Sequence, residues 1–361
     1  MKQLEDLVRP NVRAALDRYG DRAAPPRRRG TVALDGIESP YNPPYNRYPD
    51  AERAALIQEA SLATSIRPDG IFAGHGAGEI TDLLLRTFCE PGSDNVIAPA
   101  PMHERTARLA ALNDVEYRSV ALGEDFSLRA DALLEAADAH SKIIFIASPN
   151  NPTGTLFDPA EIVRTAEGFE GLVVVDESFL GFSGAPSLRG QPAACPNLVV
   201  LTSLSAAWAS AGLRVALAFA RPNVVALLDR IRPAHDISSP ALLHAAETLR
   251  RNFNIHKWNR LIADERARVM AAFTQLPFCK RVYPSAANFF LAQMSGATRI
   301  ARYLEQRGIA VKDCSQYAGC KDCLRITIGL SHENAALLAA LRNYRPADDE
   351  TTASPPSAPR K

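Results

Sequence analysis

Ile143-Ile144-Phe145-Ile146-Ala147 runs straight into Ser148-Pro149-Asn150-Asn151-Pro152-Thr153-Gly154, and Leu172-Val173-Val174-Val175 into Asp176-Glu177-Ser178-Phe179. Each is an unbroken apolar run of strand length closed by turn residues. A strand with one face in water alternates polar and apolar residues, whereas one covered on both faces need not. Working outward, shorter apolar runs at 71–73, 95–98, 198–202 and 215–218 complete the strand set. Helical stretches fall between them at 79–89, where Ile80, Leu83, Leu84 and Phe88 share one face, and at 104–112. Strands alternating with helices argue a mostly parallel, doubly wound α/β sheet. Ligands on such sheets sit at the carboxyl ends of the strands.

After about residue 222 the pattern turns helical, with amphipathic runs at 224–231, 241–251 and 261–276. A second, smaller α/β unit follows, with strands at 289–293, 310–312 and 324–328 and helices at 299–306 and 334–341. The expected organisation is an N-terminal arm over 1–34, a large domain over 35–250 and a small C-terminal domain over 251–345. The Pro-, Ser- and Thr-rich stretch 346–361 is expected to be a disordered tail.

A chain of 361 residues is long enough for two such units, and 47% hydrophobic residues suffice for a core. The net charge of +1 gives no bulk field toward nucleic acid or an anionic membrane. Arg27, Arg28 and Arg29 form a local basic cluster, read as a solvated part of the arm. No stretch approaches the ~18 apolar residues of a membrane span, and no signal-peptide core precedes the first strand, so a cytoplasmic location is expected. Six cysteines are sparse for this length and fit reduced thiols. Cys320 and Cys323 form a C-x-x-C beside Cys314, without a fourth ligand or second knuckle, so no metal is expected.

The residues able to do chemistry cluster at the ends of these strands. Asp176 ends an apolar strand, which points a carboxylate into the ligand crevice; such a residue also serves as a cap or turn former. Ser148–Gly154 reads equally as a rigid Asx/Pro turn. Gly74-His75-Gly76-Ala77-Gly78 lies where a strand gives way to a helix, a place where backbone N–H groups attract an anion. Ser203-Leu204-Ser205-Ala206-Ala207 followed by Ala211-Gly212-Leu213-Arg214 offers hydroxyls and a guanidinium fork for a phosphate. Each segment alone is weak.

In this order and spacing, the chain resembles the histidinol-phosphate aminotransferase branch of the fold-type I, pyridoxal 5'-phosphate (PLP) aminotransferases. The likeness runs from Leu7-Val8-Arg9-Pro10-Asn11 through Asn46-Arg47-Tyr48-Pro49-Asp50, residues 82–92, 148–154, 174–177 and 211–214, to Leu324-Arg325-Ile326-Thr327-Ile328-Gly329. The resemblance implies a homodimer acting on a phosphorylated amino substrate and a 2-oxo acid, with neither nucleic acid nor membrane as a partner. It implies Asp176 for the pyridine nitrogen and Asn151 for the ring hydroxyl and substrate. For the phosphate it implies Ala77, Gly78, Ser203, Ser205 and Arg214, with Tyr48 reaching in from the neighbouring subunit. His103 takes the place of a stacking aromatic, Arg325 that of the substrate-carboxylate clamp, and Glu38 that of a substrate-binding acid.

The pattern breaks at its chemical centre. The family reads Ser-Lys-Ala where this chain reads Ser205-Ala206-Ala207, and that lysine is both the covalent anchor and the proton shuttle. Phe179 stands for a usual tyrosine, Gly78 for a common acid, Ile37 for an Asn before Glu38, and Ala209-Ser210 for Gly-Leu. One replacement alone suggests an engineered variant; several together favour natural divergence, and both readings stand. The resemblance therefore implies histidinol-phosphate:2-oxoglutarate transamination in histidine biosynthesis, impaired by Ala206, with PLP held non-covalently, as an external aldimine or as pyridoxamine phosphate. The alternatives are a catalytically dead paralogue that binds PLP or pyridoxamine phosphate, and an enzyme like threonine-phosphate decarboxylase.

Overall fold

A computed structural model describes residues 4–19, 32 and 34–345. Arg27–Arg29 and the 346–361 tail lie outside the described residues.

Seven strands form the larger sheet: β1 (Ile71–Gly74), β2 (Asn95–Ala100), β3 (Glu116–Ala121), β4 (Ser141–Ala147), β5 (Leu172–Asp176), β6 (Leu198–Ser203) and β7 (Ala216–Phe219). Their order is β1-β7-β6-β5-β4-β2-β3. β7 runs antiparallel to both of its neighbours, and the remaining pairs are parallel. The unbroken apolar runs are explained by burial on both faces. Ile144, Ile146, Val173 and Val175 enter one core cluster, while Ile143, Phe145, Leu172 and Val174 enter the other. Successive strand residues point to opposite sides, so each layer receives every second residue. Burying each such side chain contributes about 2 kcal/mol.

The smaller sheet contains β8 (Cys279–Val282), β9 (Phe289–Met294), β10 (Lys312–Asp313) and β11 (Cys323–Thr327), in the order β10-β11-β9-β8 and antiparallel throughout. The helices Phe253–Phe273, Ala297–Glu305 and Ser331–Asn343 contribute to its separate core cluster. This is the expected plan of a mostly parallel seven-stranded sheet with a second α/β unit.

Two strands escape the apolar reading. β3 is an edge strand of Glu116-Tyr117-Arg118-Ser119-Val120-Ala121 with no buried residue, and β8 carries Lys280 and Arg281. Charged edge strands blunt unwanted pairing and dilute the apolar signal. The helix expected from residue 261 starts at Phe253, and Asp50–Thr64 forms a helix that the strand-led reading leaves unassigned. The first residues are also more than an arm. Leu7 and Val8 are buried in the core, and Arg9 donates from its backbone to the Thr87 carbonyl and from its side chain to the Arg86 carbonyl.

Cys314, Cys320 and Cys323 are buried together with Phe126, Tyr283 and Leu291. Among the described residues, no group of three or more His, Cys, Asp or Glu side chains is placed to hold a metal. Among the described residues, no helix is long and apolar enough to cross a membrane.

Candidate active site

A cavity of about 210 Å³ opens at the carboxyl ends of β4, β5 and β6. Its lining includes Ala77, His103, Asn151, Asp176, Phe179, Ser203, Ser205, Ala206 and Arg214, nine residues singled out from the sequence. Ladder bonds at the strand ends fix this floor. Ser148 N–H donates to the Asp176 carbonyl at 3.0 Å, and Glu177 N–H to the Leu201 carbonyl at 2.8 Å.

Asp176 is held as an acceptor: its Oδ1 takes hydrogen bonds from Ser178 N–H at 2.9 Å and from the Ser178 hydroxyl. The next residue, Glu177, turns away from the cavity and is buried, accepting from Ser187 Oγ–H and, at 2.8 Å, from Leu188 N–H. Burial pushes its carboxyl above the ordinary range, against the pull of those two donors. Two adjacent carboxylates thus have different duties.

One end of the cavity is built for an anion. Ser203 Oγ–H donates to Ser205 Oγ at 2.9 Å, and Arg214 Nη1 donates to Ser205 Oγ at 3.2 Å and to the Ala211 carbonyl at 3.0 Å. Helix Gly76–Phe88 starts beside them. A Cβ at Gly76, where φ is 80°, would stand 2.8 Å from Arg214 Nη2. Only glycine allows the guanidinium so close to the first helical turn.

Arg325 on β11 is not among the lining residues, but it donates from Nη1 to Oδ1 of the lining Asn151 at 2.5 Å. Its guanidinium lies 5.4 Å from the Phe289 ring, which meets Phe179 edge-on at 5.1 Å. Arg325 thus reaches the site from the smaller sheet. The loop carrying Asn151 is braced by Asn150, whose Nδ2 donates to the Pro101 carbonyl at 2.9 Å and to Thr153 Oγ1 at 3.0 Å.

His103 accepts the Arg105 backbone N–H on Nδ1 at 3.1 Å. Burial, then the charges of Arg105 and Arg325, push its pKa below the ordinary histidine value. With Nδ1 accepting, the neutral form of the ring carries its proton on Nε2, and that nitrogen is then a donor. Ala206 contributes a methyl group to the wall, and among the described residues no lysine lines the cavity. Lys142 sits at the opposite end of β4, with Nζ 3.6 Å from Asp94.

Glu38 and Tyr48 do not join this cavity. Glu38 accepts Arg47 Nη1 at 2.9 Å and Tyr48 N–H at 2.7 Å, and the Tyr48 ring stacks on His235 at 4.0 Å. Gly78 lies one residue beyond the lining Ala77. The sequence reading misses Thr81, Met102, Arg105, Thr106 and Ser178, all of which line the cavity. Ser178 was findable, because a serine two residues after an aspartate is the spacing of an Asx-type turn. Thr81, Arg105 and Thr106 lie on helices and Met102 in the loop after β2, where no motif marks them.

Fold and cavity together agree with what comparison finds. The family model for class I and II aminotransferases matches residues 35–341, and the chain belongs to that family. A histidinol-phosphate aminotransferase from Bacteroides fragilis is 40% identical to it over 351 residues, covering 96% of this chain and 100% of the relative. The crystal structure of the histidinol-phosphate aminotransferase from Clostridium acetobutylicum superposes with a TM-score of 0.76 at 22% identity, over 82% of this chain and 90% of that one. The Sinorhizobium meliloti histidinol-phosphate aminotransferase, solved in complex with PLP, gives 0.75 at 22% identity over 82% of each chain. The architecture is that of the fold-type I PLP-dependent aminotransferases.

Proposed function

We propose that this chain carries the site of a histidinol-phosphate:2-oxoglutarate aminotransferase of histidine biosynthesis, and that Ala206 leaves it inactive or very slow. One observation carries the reading: a single cavity gathers Asp176, Asn151, Ser203, Ser205 and Arg214 around the position of Ala206. These residues fit PLP. A carboxylate, Asp176, lines the cavity, serine hydroxyls and Arg214 form an anion cradle, and the amide of Asn151 is bonded to Arg325.

Bound PLP supplies an electron sink for the carbanion at the substrate α-carbon. Asp176, kept an acceptor by Ser178, would pair with the protonated ring nitrogen. Ser203, Ser205, Arg214 and the backbone of Ala77 and Gly78 would hold the phosphate. Because Arg325 engages Asn151 Oδ1, the amide Nδ2 is left to donate to the ring hydroxyl. Phe179 has no hydroxyl to add there. His103 would lie against the ring face, and Arg325 would clamp the substrate carboxylate as a planar fork.

The missing function is proton transfer. A methyl group neither bonds the cofactor nor carries a proton between substrate and cofactor carbons. His103 does not replace the lysine, because its Nδ1 is occupied and its Nε2 holds a proton. The reading also includes a cytoplasmic homodimer in which Tyr48 serves the partner's site, with Glu38 a substrate-binding acid. Its support is the run of exposed Leu34, Ile37, Tyr41, Tyr45 and Tyr48, an apolar surface that a second copy would cover. Residues 35–250 then form the cofactor-binding unit and 251–345 the smaller one.

The test is Ala206→Lys, assayed beside the unaltered chain with PLP, histidinol phosphate and 2-oxoglutarate. The variant is expected to gain the visible absorbance of lysine-bound PLP and to transaminate, while the unaltered chain does neither. A variant that gains the band but transaminates nothing overturns the aminotransferase reading. Ordinary turnover by the unaltered chain overturns the account of Ala206.

A further inference from the structure

Arg105 opens the helix Arg105–Leu112 and lines the cavity. Its neighbours in charge are engaged: Arg214 holds Ser205 and the Ala211 carbonyl, and Arg325 holds Asn151. Among the described residues the Arg105 guanidinium has no hydrogen-bond or ion-pair partner; its backbone N–H is engaged by His103. Arg105 is exposed at the cavity wall, and its guanidinium is free to pair with an anion that enters.

Its position is specific. The Arg105 Cδ lies 3.6 Å from where a Cβ at Gly78 would stand, so the side chain passes directly over that residue. Arg214 approaches two residues earlier, over Gly76. Two guanidinium-bearing side chains therefore flank the first turn of helix Gly76–Phe88, each against a glycine. The acid of that turn, Glu79, is turned back to accept His75 N–H at 2.5 Å. The common family acid at position 78 is absent, so no carboxylate stands there to pair with Arg105. Two guanidinium groups, the serine hydroxyls and a helix N-terminus match a dianion far better than a monoanion.

We propose that Arg105 is a second arginine for the ligand phosphate, holding a phosphorylated pyridine ligand by charge where the covalent tether is missing. This rests on the PLP-site reading above and goes beyond it. It makes the phosphate end the dominant anchor and predicts binding of ring phosphates that have no aldehyde at all.

Titration calorimetry of the unaltered full chain with pyridoxine 5'-phosphate and with pyridoxine separates the phosphate's contribution from that of the ring. R105M is expected to weaken the phosphate ester by about tenfold, the scale of one charge-assisted contact, and to leave pyridoxine unchanged. It should also flatten the salt dependence of phosphate-ester binding. R105K should recover part of the loss, and R105Q provides a second neutral variant. R108M, on the same helix but outside the cavity lining, should change nothing. Phosphate-ester affinity within about twofold of the parent in R105M and R105Q overturns the proposal and leaves the PLP reading standing. A parent chain that binds neither pyridoxine phosphate nor PLP overturns both.

Discussion

Arg325 Nη1 donates to Asn151 Oδ1 at 2.5 Å, joining β11 of the smaller sheet to the loop after β4 of the larger one. A second bond, from Ala286 N–H to the Gly154 carbonyl at 2.8 Å, fastens the same loop to the same unit. The position of the proposed carboxylate clamp therefore depends on how the two units meet.

If Arg325 binds the substrate carboxylate, R325A in the Ala206→Lys enzyme should raise KM for 2-oxoglutarate by about tenfold to a hundredfold. R325K should recover only part, since an ammonium lacks the planar fork. Pairing R325A with N151A should be clearly less than additive, because the two share one bond. Unchanged KM in R325A would remove the residue from the site.

Gly76→Ala should lower stability by about 1 kcal/mol or more, because φ at 80° suits glycine and the new Cβ would meet Arg214. The displaced guanidinium should also weaken PLP binding, read by equilibrium dialysis. Normal affinity would mean that Arg214 does not hold the phosphate.

Ala209 adopts φ 51°, a left-handed conformation, at the position where the resembling family carries glycine. Ala209→Gly should therefore raise the unfolding free energy by roughly 0.5–1 kcal/mol in urea denaturation, strain relief outweighing the added unfolded-state entropy. A loss of stability would show that the turn is relaxed as it stands.

Arg268 holds the Glu265 carboxyl down to about 2, and Asn334 Nδ2 donates to the same carboxylate at 3.0 Å. The folded group titrates below its ordinary value of 4.5, so its stabilisation is complete above that pH and is lost as the pH falls toward 2. Glu265→Gln should cost roughly 0.5–1 kcal/mol at neutral pH, and the gap from the parent should shrink by pH 3. Parallel melting curves across that range would contradict this.

The apolar runs of β4 and β5 announce a sheet covered on both faces, since burial on each side is what removes alternation from a strand. β3 and β8 stay hidden because charged edge strands do not bury a continuous face. Asp176, Asn151 and the Ser203–Arg214 region are legible because strand ends and turns carry local chemical signatures. Arg105 and Thr106 carry none, since a residue at a helix start looks alike whether it faces water or a cavity.

The sequence by itself determined the sheet type, the family and the absence of a lysine at position 206, all of which follow from residue identity and order. Only the tertiary structure decided that Arg325 crosses to Asn151, that His103 Nδ1 is taken up by the Arg105 backbone N–H, and that Arg105 and Arg214 stand over Gly78 and Gly76. Those facts depend on approach distances between segments far apart in the chain, and chain order alone does not encode them.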